Sequence, residues 1–199
     1  MEGGLRSLLV SARSLCDEPE HEAADQLVGP LVVRGERLVV AGQKGNGKTS
    51  LVLRIVAAAV HGTNFLGWRG VGGARVLWID AEQSRRVLRR RLREVGLHAT
   101  DLVHVLPVRG GLDLAGDGAA CEELEAMIAD VRPDIVVADP LYRLHRGDPN
   151  DARLAGAVMG FLDRLHAQAG AALILPAHLR KMPAGGGRSL SMDDIAGTG

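Results

Sequence analysis

Cysteine is scarce in this 199-residue chain. Cys16 and Cys121 stand far apart, neither in a C-x-x-C pair, and no cysteine–histidine cluster has the spacing of zinc ligands. That excludes a disulfide scaffold and a zinc finger, and makes a reducing, cytoplasmic setting the simpler expectation. Net charge is absent too: 24 Lys and Arg balance 24 Asp and Glu. There is no global field of the kind that marks a protein coating nucleic acid, so any DNA or RNA contact must be local. No apolar run reaches membrane-spanning length. The start, MEGGLRSLLVSARSL, carries an early acid and only a short apolar patch, a poor match to a secretory leader. No membrane partner is expected. Aromatic residues make up 3% of the chain, and Trp68 and Trp78 are isolated rather than interleaved with basic residues. Trp78, inside an apolar run, is expected in the core; Trp68, in a glycine-rich loop, packs on the surface or covers a base.

What is present is an alternation. Apolar runs of strand length occur at 38–41, 75–79, 102–106, 135–138 and 171–175, and helix-like stretches at 49–61, 84–95, 119–131 and 151–169 lie between them. Continuous apolar strands separated by helices predict an α/β fold, a largely parallel sheet covered on both faces. Ligands of such sheets sit at the carboxyl ends of the strands. Residues 1–35 read as an N-terminal lead-in, with a weak helical pattern near 5–15, an acidic stretch at 17–20 and packing outside the core. The domain proper is expected over 36–199. No internal repeat is visible, and the one low-complexity stretch is Pro183-Ala184-Gly185-Gly186-Gly187.

The most specific signal is GQKGNGKT, which fits G-x-x-x-x-G-K-[ST] at every fixed position, with a strand-like run before it and a helix-like run behind. Such a loop rings phosphates with backbone N–H groups, and Gly42, Gly45 and Gly47 permit the turn and the close approach. Gln43, Lys44, Asn46 and Ser50 complete the expected cradle. Lys48 supplies a point charge toward the β and γ phosphates. Thr49 offers a hydroxyl to Mg²⁺, and the helix starting there presents its positive dipole end to the anion. The ligand implied is a nucleoside triphosphate.

Hydrolysis further requires an acid that positions the metal and a group that activates water. Asp139, closing the run Ile135-Val136-Val137-Ala138, is the candidate for Mg²⁺; the alternative is an aspartate that merely starts the Asp139-Pro140 turn. Glu82, just past Val76-Leu77-Trp78-Ile79-Asp80, is the candidate general base if its strand neighbours that of Asp139. The alternative is an acid in the first turn of the next helix, favoured by the dipole. At the end of the last apolar run, His178 is placed to contact the γ phosphate, and Arg180 and Lys181 to neutralise transition-state charge in their own subunit or a neighbour's; structural and solvated roles compete.

These blocks together resemble the RecA-like ATPases, and most closely the branch typified by the RepA hexameric replicative helicases of mobile plasmids. The resemblance runs from about Leu27 to the end. It rests on the order of GQKGNGKTS, Asn64-Phe65-Leu66-Gly67, VLWIDAEQS with RRVLRRRL, DIVVADPLYRL with GDPND, and AHLRK. It implies a three-layer sheet, ATP and Mg²⁺ as ligands, Glu82 activating water, Asp139 serving Mg²⁺, and Arg180 or Lys181 acting between subunits of a homo-oligomeric ring. Single-stranded DNA is the implied partner. Two departures stand out: a further strand or two expected after the glycine-rich loop is missing, so the domain reads as cut short, and the loop lacks the dense basic or aromatic set of a strong single-strand contact. A recombinase-like or regulatory ATPase is the alternative among enzymes, and a nucleotide-gated assembly module with incidental turnover the alternative outside them.

Two features have bland readings as well. The segment 85–93 carries six arginines around Leu88 and Leu92, which reads first as a solvated helix and second as a phosphate or subunit contact. The GDPND turn is placed to cap the following helix through Asn150 or Asp151.

Overall fold

The computed structural model describes residues 9–17, 25–116, 118–148 and 151–178. In chain order they form α1 (Ala12–Cys16), β1 (Gln26–Val28), β2 (Val32–Val33), β3 (Arg37–Gly42), α2 (Lys48–His61), β4 (Asn64–Phe65) and β5 (Trp68–Arg69). Then follow β6 (Val76–Asp80), α3 (Arg85–Glu94), β7 (Val103–Pro107), α4 (Ala119–Val131), β8 (Ile135–Asp139), α5 (Ala152–Ala169) and β9 (Ala172–His178). All five expected strands and all four expected helices are present, and β9 continues past residue 175 to His178.

Five strands make one sheet in the order β3-β9-β8-β6-β7, every neighbouring pair parallel. Alternation along each strand divides the core in two. Val76, Trp78, Ile135, Val137 and Ile174 face α2, with Leu92 of α3 and Val95 just after it packed beside them. Leu77, Ile79, Val136, Leu173 and Leu175 face Leu124 and Ile128 of α4 and Val158, Phe161 and Leu162 of α5. The result is a three-layer α/β fold. Both faces of β6 and β8 are buried, which is why their sequences are continuously apolar.

The two strongest helix stops are glycines in left-handed conformation, Gly62 after α2 and Gly170 after α5. Asp151 caps α5 by accepting from the amides of Arg153 and Leu154, the role expected of it; Asn150 lies outside the described residues. Trp78 is fully buried and Trp68 is 39% exposed on the surface. No helix among the described residues is long and apolar enough to cross a membrane.

One expectation fails. The lead-in segment does not stay outside the core: Leu27, Val28 and Val32 are buried and pack on α2. They belong to the antiparallel pair β1–β2, which is tied to the second hairpin, β4–β5, by Gly29 N–H donating to Arg69 O and Val71 N–H to Leu27 O. Strands of two or three residues are too short to show alternation, so the sequence carries little sign of them. The part of the lead-in that does lie outside is α1, none of whose residues is buried.

Candidate nucleotide site

Every described group of the site hangs on the carboxyl ends of β3, β6, β8 and β9 or on the start of α2. Between β3 and α2 the loop turns through Gly45 (φ 89°) and Gly47 (φ 76°), a region that side-chained residues rarely enter. Gly47 is the N-cap of α2 and has no side chain with which to cap it, so the first amides of the helix are left for an anion. Gly42 differs: it ends β3 outside the left-handed region, and a Cβ there would make only ordinary contact with the Lys48 stem and Asn46.

Lys48 opens α2 and folds back over the loop, donating to Gly42 O at 2.8 Å and Gln43 O at 3.0 Å. Its Nζ also lies 3.2 Å from His178 Nδ1. Burial lowers the Lys48 pKa, and the carboxylates of Asp139 and Glu82 partly oppose that. Thr49, the next residue, donates from Oγ1 to Asp139 Oδ2 at 2.8 Å. Asp139 closes β8, two strands from β3, yet reaches the first turn of α2 across β9. Asp139 also leads directly into the turn that begins at Pro140, and its carboxyl bonds to the first turn of α2.

β6 does neighbour β8, with Asp80 and Asp139 paired in register. Burial raises the Asp139 pKa to about 7; the Thr49 hydroxyl and Lys48 oppose this, while Asp80 and Glu82 add to it. Glu82 projects from the turn after β6, with Oε2 4.0 Å from His178 Nε2. It precedes Ser84, the N-cap of α3, and no acid occupies the first turn of that helix. The helix-dipole alternative therefore does not apply to Glu82.

His178 ends β9 opposite Gly42 and stands between Lys48 and Glu82. Tyr142, in the 3₁₀ turn Leu141–Arg143 after β8, meets its ring edge-on with centroids 5.5 Å apart. Arg143 lies over the Tyr142 ring at 5.7 Å. Burial lowers the His178 pKa, Lys48 and Lys44 lower it further, and Glu82 opposes them. The structure thus brings together Gly42, Gln43, Lys48, Thr49, Glu82, Asp139 and His178. Lys44, Gly45, Asn46 and Ser50 line the same loop and first turn. Arg180 and Lys181 lie outside the described residues.

Sequence reasoning passed over Asp80, Gln83, Tyr142 and Arg143. Asp80 and Gln83 flank Glu82, and Tyr142 and Arg143 follow Asp139 within the same block, so position just past a strand end was the available signal. The roughly 510 Å³ cavity at the start of α4, lined by residues such as Asp113, Ala119 and Arg146, is formed by other residues.

The donor set suits a small hard cation. Mg²⁺ takes oxygen ligands and keeps few of them from protein. Thr49 Oγ1 donates to Asp139 Oδ2, which sets two such oxygens side by side, the second on a carboxyl whose pKa is raised chiefly by burial.

A family profile described as an AAA domain matches residues 6–184. Among solved structures 425 chains match, so the fold is widely shared and cannot by itself specify an activity. One of them is the KaiC-like protein PH0186 from the hyperthermophilic archaeon Pyrococcus horikoshii OT3, similar at a TM-score of 0.53 and 13% identity over 74% of this chain. This chain spans 65% of that protein's length, and identity at this level reflects the fold alone. No protein of curated function matches the sequence.

Proposed function

Because the chain belongs to the AAA domain family, whose profile spans residues 6–184, and has the fold of a RecA-like P-loop ATPase, we propose that it binds ATP with Mg²⁺ and hydrolyses it. The observation that carries this reading is the 2.8 Å hydrogen bond from Thr49 to Asp139. It joins the end of an apolar strand, ninety residues on, to the first turn behind a phosphate loop, which is the pairing a triphosphate and its cation require.

In this scheme the loop amides and Lys48 bind the β and γ phosphates, Lys48 exchanging Gly42 O, Gln43 O and His178 for phosphate oxygens. Thr49 and Asp139 would hold Mg²⁺, which when bound neutralises charge on the phosphate oxygens. Glu82 takes a proton from the water whose oxygen attacks the γ phosphorus; that P–O bond forms as the bond to the ADP oxygen breaks. His178, next to both Lys48 and Glu82, senses whether the γ phosphate is present. Arg180 and Lys181 neutralise transition-state charge, in the same subunit or a neighbour.

The finer reading is a motor acting on single-stranded DNA in replication or maintenance of DNA, working in the cytoplasm as a homo-oligomeric ring. It is supported by the five ordered sequence blocks. Lys48→Ala is expected to abolish ATP binding, and Glu82→Gln to retain binding while losing turnover; full turnover in Glu82→Gln removes the assignment. Single-stranded DNA is expected to raise the ATPase rate. An unchanged rate favours the nucleotide-gated assembly module instead. Arg180→Ala subunits mixed into wild type are expected to suppress activity beyond their share, and strictly proportional loss argues against action in trans.

A further inference from the structure

Asp80 is fully buried beside the site, and the hydrolytic scheme leaves it without a task. Its carboxylate is saturated from one direction only. Oδ1 accepts the backbone amides of Glu82 at 3.1 Å and Gln83 at 2.7 Å, and Oδ2 accepts Gln83 Nε2 at 2.8 Å. The same turn is fastened on both sides, by Ala81 N–H to Asp139 O at 2.9 Å and Val108 N–H to Asp80 O at 2.8 Å. So the turn carrying Glu82 is held by the buried Asp80 side chain, with strand β8 and the segment after β7 clamping it.

The Gln83 amide has one allowed orientation. Its NH₂ must face the carboxylate, because an amide oxygen there would oppose an acceptor. That leaves Gln83 Oε1 buried with no hydrogen-bond partner. A buried acceptor without a donor is unfavourable and calls for an explanation. An attacking water supplies one. It has two protons: a base removes the first, and an acceptor for the second turns the oxygen lone pair toward phosphorus.

We propose that Asp80 and Gln83 are a positioning pair for the water-activating glutamate: Asp80 holds Glu82 in place and aims Gln83 Oε1 at the second proton of the attacking water. The assignment rests on the hydrolytic reading of Glu82. Neither residue exchanges a proton; both act by fixing geometry.

The test combines steady-state ATPase kinetics, affinity for a non-hydrolysable ATP analogue, and the thermal midpoint of the nucleotide-free protein. In Asp80→Asn the amide introduced at 80 still accepts the two backbone N–H groups but forces the Gln83 amide to flip, presenting a donor in place of Oε1. In Gln83→Glu two carboxylates oppose each other. Each is expected to lower kcat about tenfold or more with analogue affinity and KM within about twofold. In the double variant Asp80→Asn/Gln83→Glu the amide at 80 donates to the carboxylate at 83, whose other oxygen again accepts, so kcat is expected to recover to within about threefold of wild type. Gln83→Met removes both the orphaned oxygen and the Nε2–H donor to Asp80 Oδ2, and is expected to lose kcat about tenfold or more with analogue affinity within about twofold. A role confined to stability predicts a lowered thermal midpoint for Gln83→Met with kcat unchanged.

Wild-type kcat in both Asp80→Asn and Gln83→Met overturns the proposal, as does a double variant no better than its worse single. Should Asp80→Asn not fold, Gln83→Met decides alone. Absence of turnover in the wild type, or full turnover in Glu82→Gln, overturns the hydrolytic reading and this assignment with it. Those controls leave 80 and 83 untouched, so the two failures are told apart.

Discussion

Lys48 Nζ lies 3.2 Å from His178 Nδ1, joining the first residue of α2 to the last residue of β9. An ammonium only donates, so His178 Nδ1 accepts, and a neutral ring then carries its proton on Nε2, the nitrogen facing Glu82. The charge state of one catalytic candidate is therefore written into the tautomer of another.

This fixes an expectation for the nucleotide-free protein. Burial and the two lysines lower the His178 pKa, so at about pH 7.5 the ring should be neutral in the Nε2–H form. Lys48→Met removes a lowering influence and should move its titration up; Glu82→Gln removes the opposing one and should move it down. Nitrogen-detected histidine NMR reads both tautomer and titration. A ring protonated on Nδ1, or a shift of opposite sign in either variant, contradicts the geometry.

Asp139 predicts a stability effect of definite sign. Its folded pKa is about 7 against 3.8 for the unconstrained group. Between those values the unfolded chain releases the proton and the folded chain keeps it, so the unfolded state is favoured progressively as pH rises. Stability is full below about pH 4, falls toward pH 7 and is flat above. At about 1.36 kcal/mol per unit the loss is at most on the order of 4 kcal/mol. Asp139→Asn, with no charge to bury and an oxygen still available to Thr49, should remove the slope. Denaturation of the nucleotide-free proteins is expected to show the variant more stable than wild type at pH 8 and comparable at pH 4, while ATP turnover is lost. A wild type that gains stability between pH 4 and 7 through this residue would contradict the burial argument.

How much of this could be read from the sequence depended on length and on chemistry. The five long strands were legible because β6, β8 and β9 are buried along nearly their whole length and so continuously apolar. The hairpins β1–β2 and β4–β5 were not, because two or three residues cannot display a period; even so, they place Leu27 and Val28 in the core. At the site, Lys48, Thr49, Asp139 and Glu82 stood out because their chemistry was sought by type. Asp80 was hidden by being next to Glu82: one side chain faces inward to anchor the turn and the other projects from it, a division set by the backbone alone. Tyr142 acquires meaning only when β8 and β9 pair, which brings it against His178.

Trp78 allows a core test with two outcomes that separate packing from polarity. It is fully buried between β6 and α2, and its Nε1 has no hydrogen-bond partner. Truncation to alanine should cost about 3–5 kcal/mol, as for other large core aromatics. Trp78→Phe loses less volume and deletes the unpaired N–H, so its cost should be clearly smaller than that of the alanine variant. Urea denaturation midpoints at constant m-value decide it. Equal losses for the two variants would mean that the indole N–H has a partner after all.

Gly70 is the position where a single methyl group should do the most damage. Its backbone angles are ordinary, so the requirement is one of space: a Cβ there would overlap the carbonyl group of Ala58, in the buried face of α2. The obstacle is helix backbone, which cannot swing aside as a long side chain can. Gly70 N–H also donates to Thr63 O at 2.9 Å, and the neighbouring Gly72 N–H donates to Ala59 O at 3.0 Å, so the segment cannot lift without breaking bonds that close the end of α2. Gly70→Ala should therefore cost about 3 kcal/mol, the upper end of overpacking penalties. The clash lies near the C-terminal end of α2, while Lys48 and Thr49 lie in its first turn. Calorimetry should show a lowered unfolding temperature together with near-wild-type affinity for ATP in the folded protein. A variant of wild-type stability would mean that the hairpin does not seat on α2 at this distance.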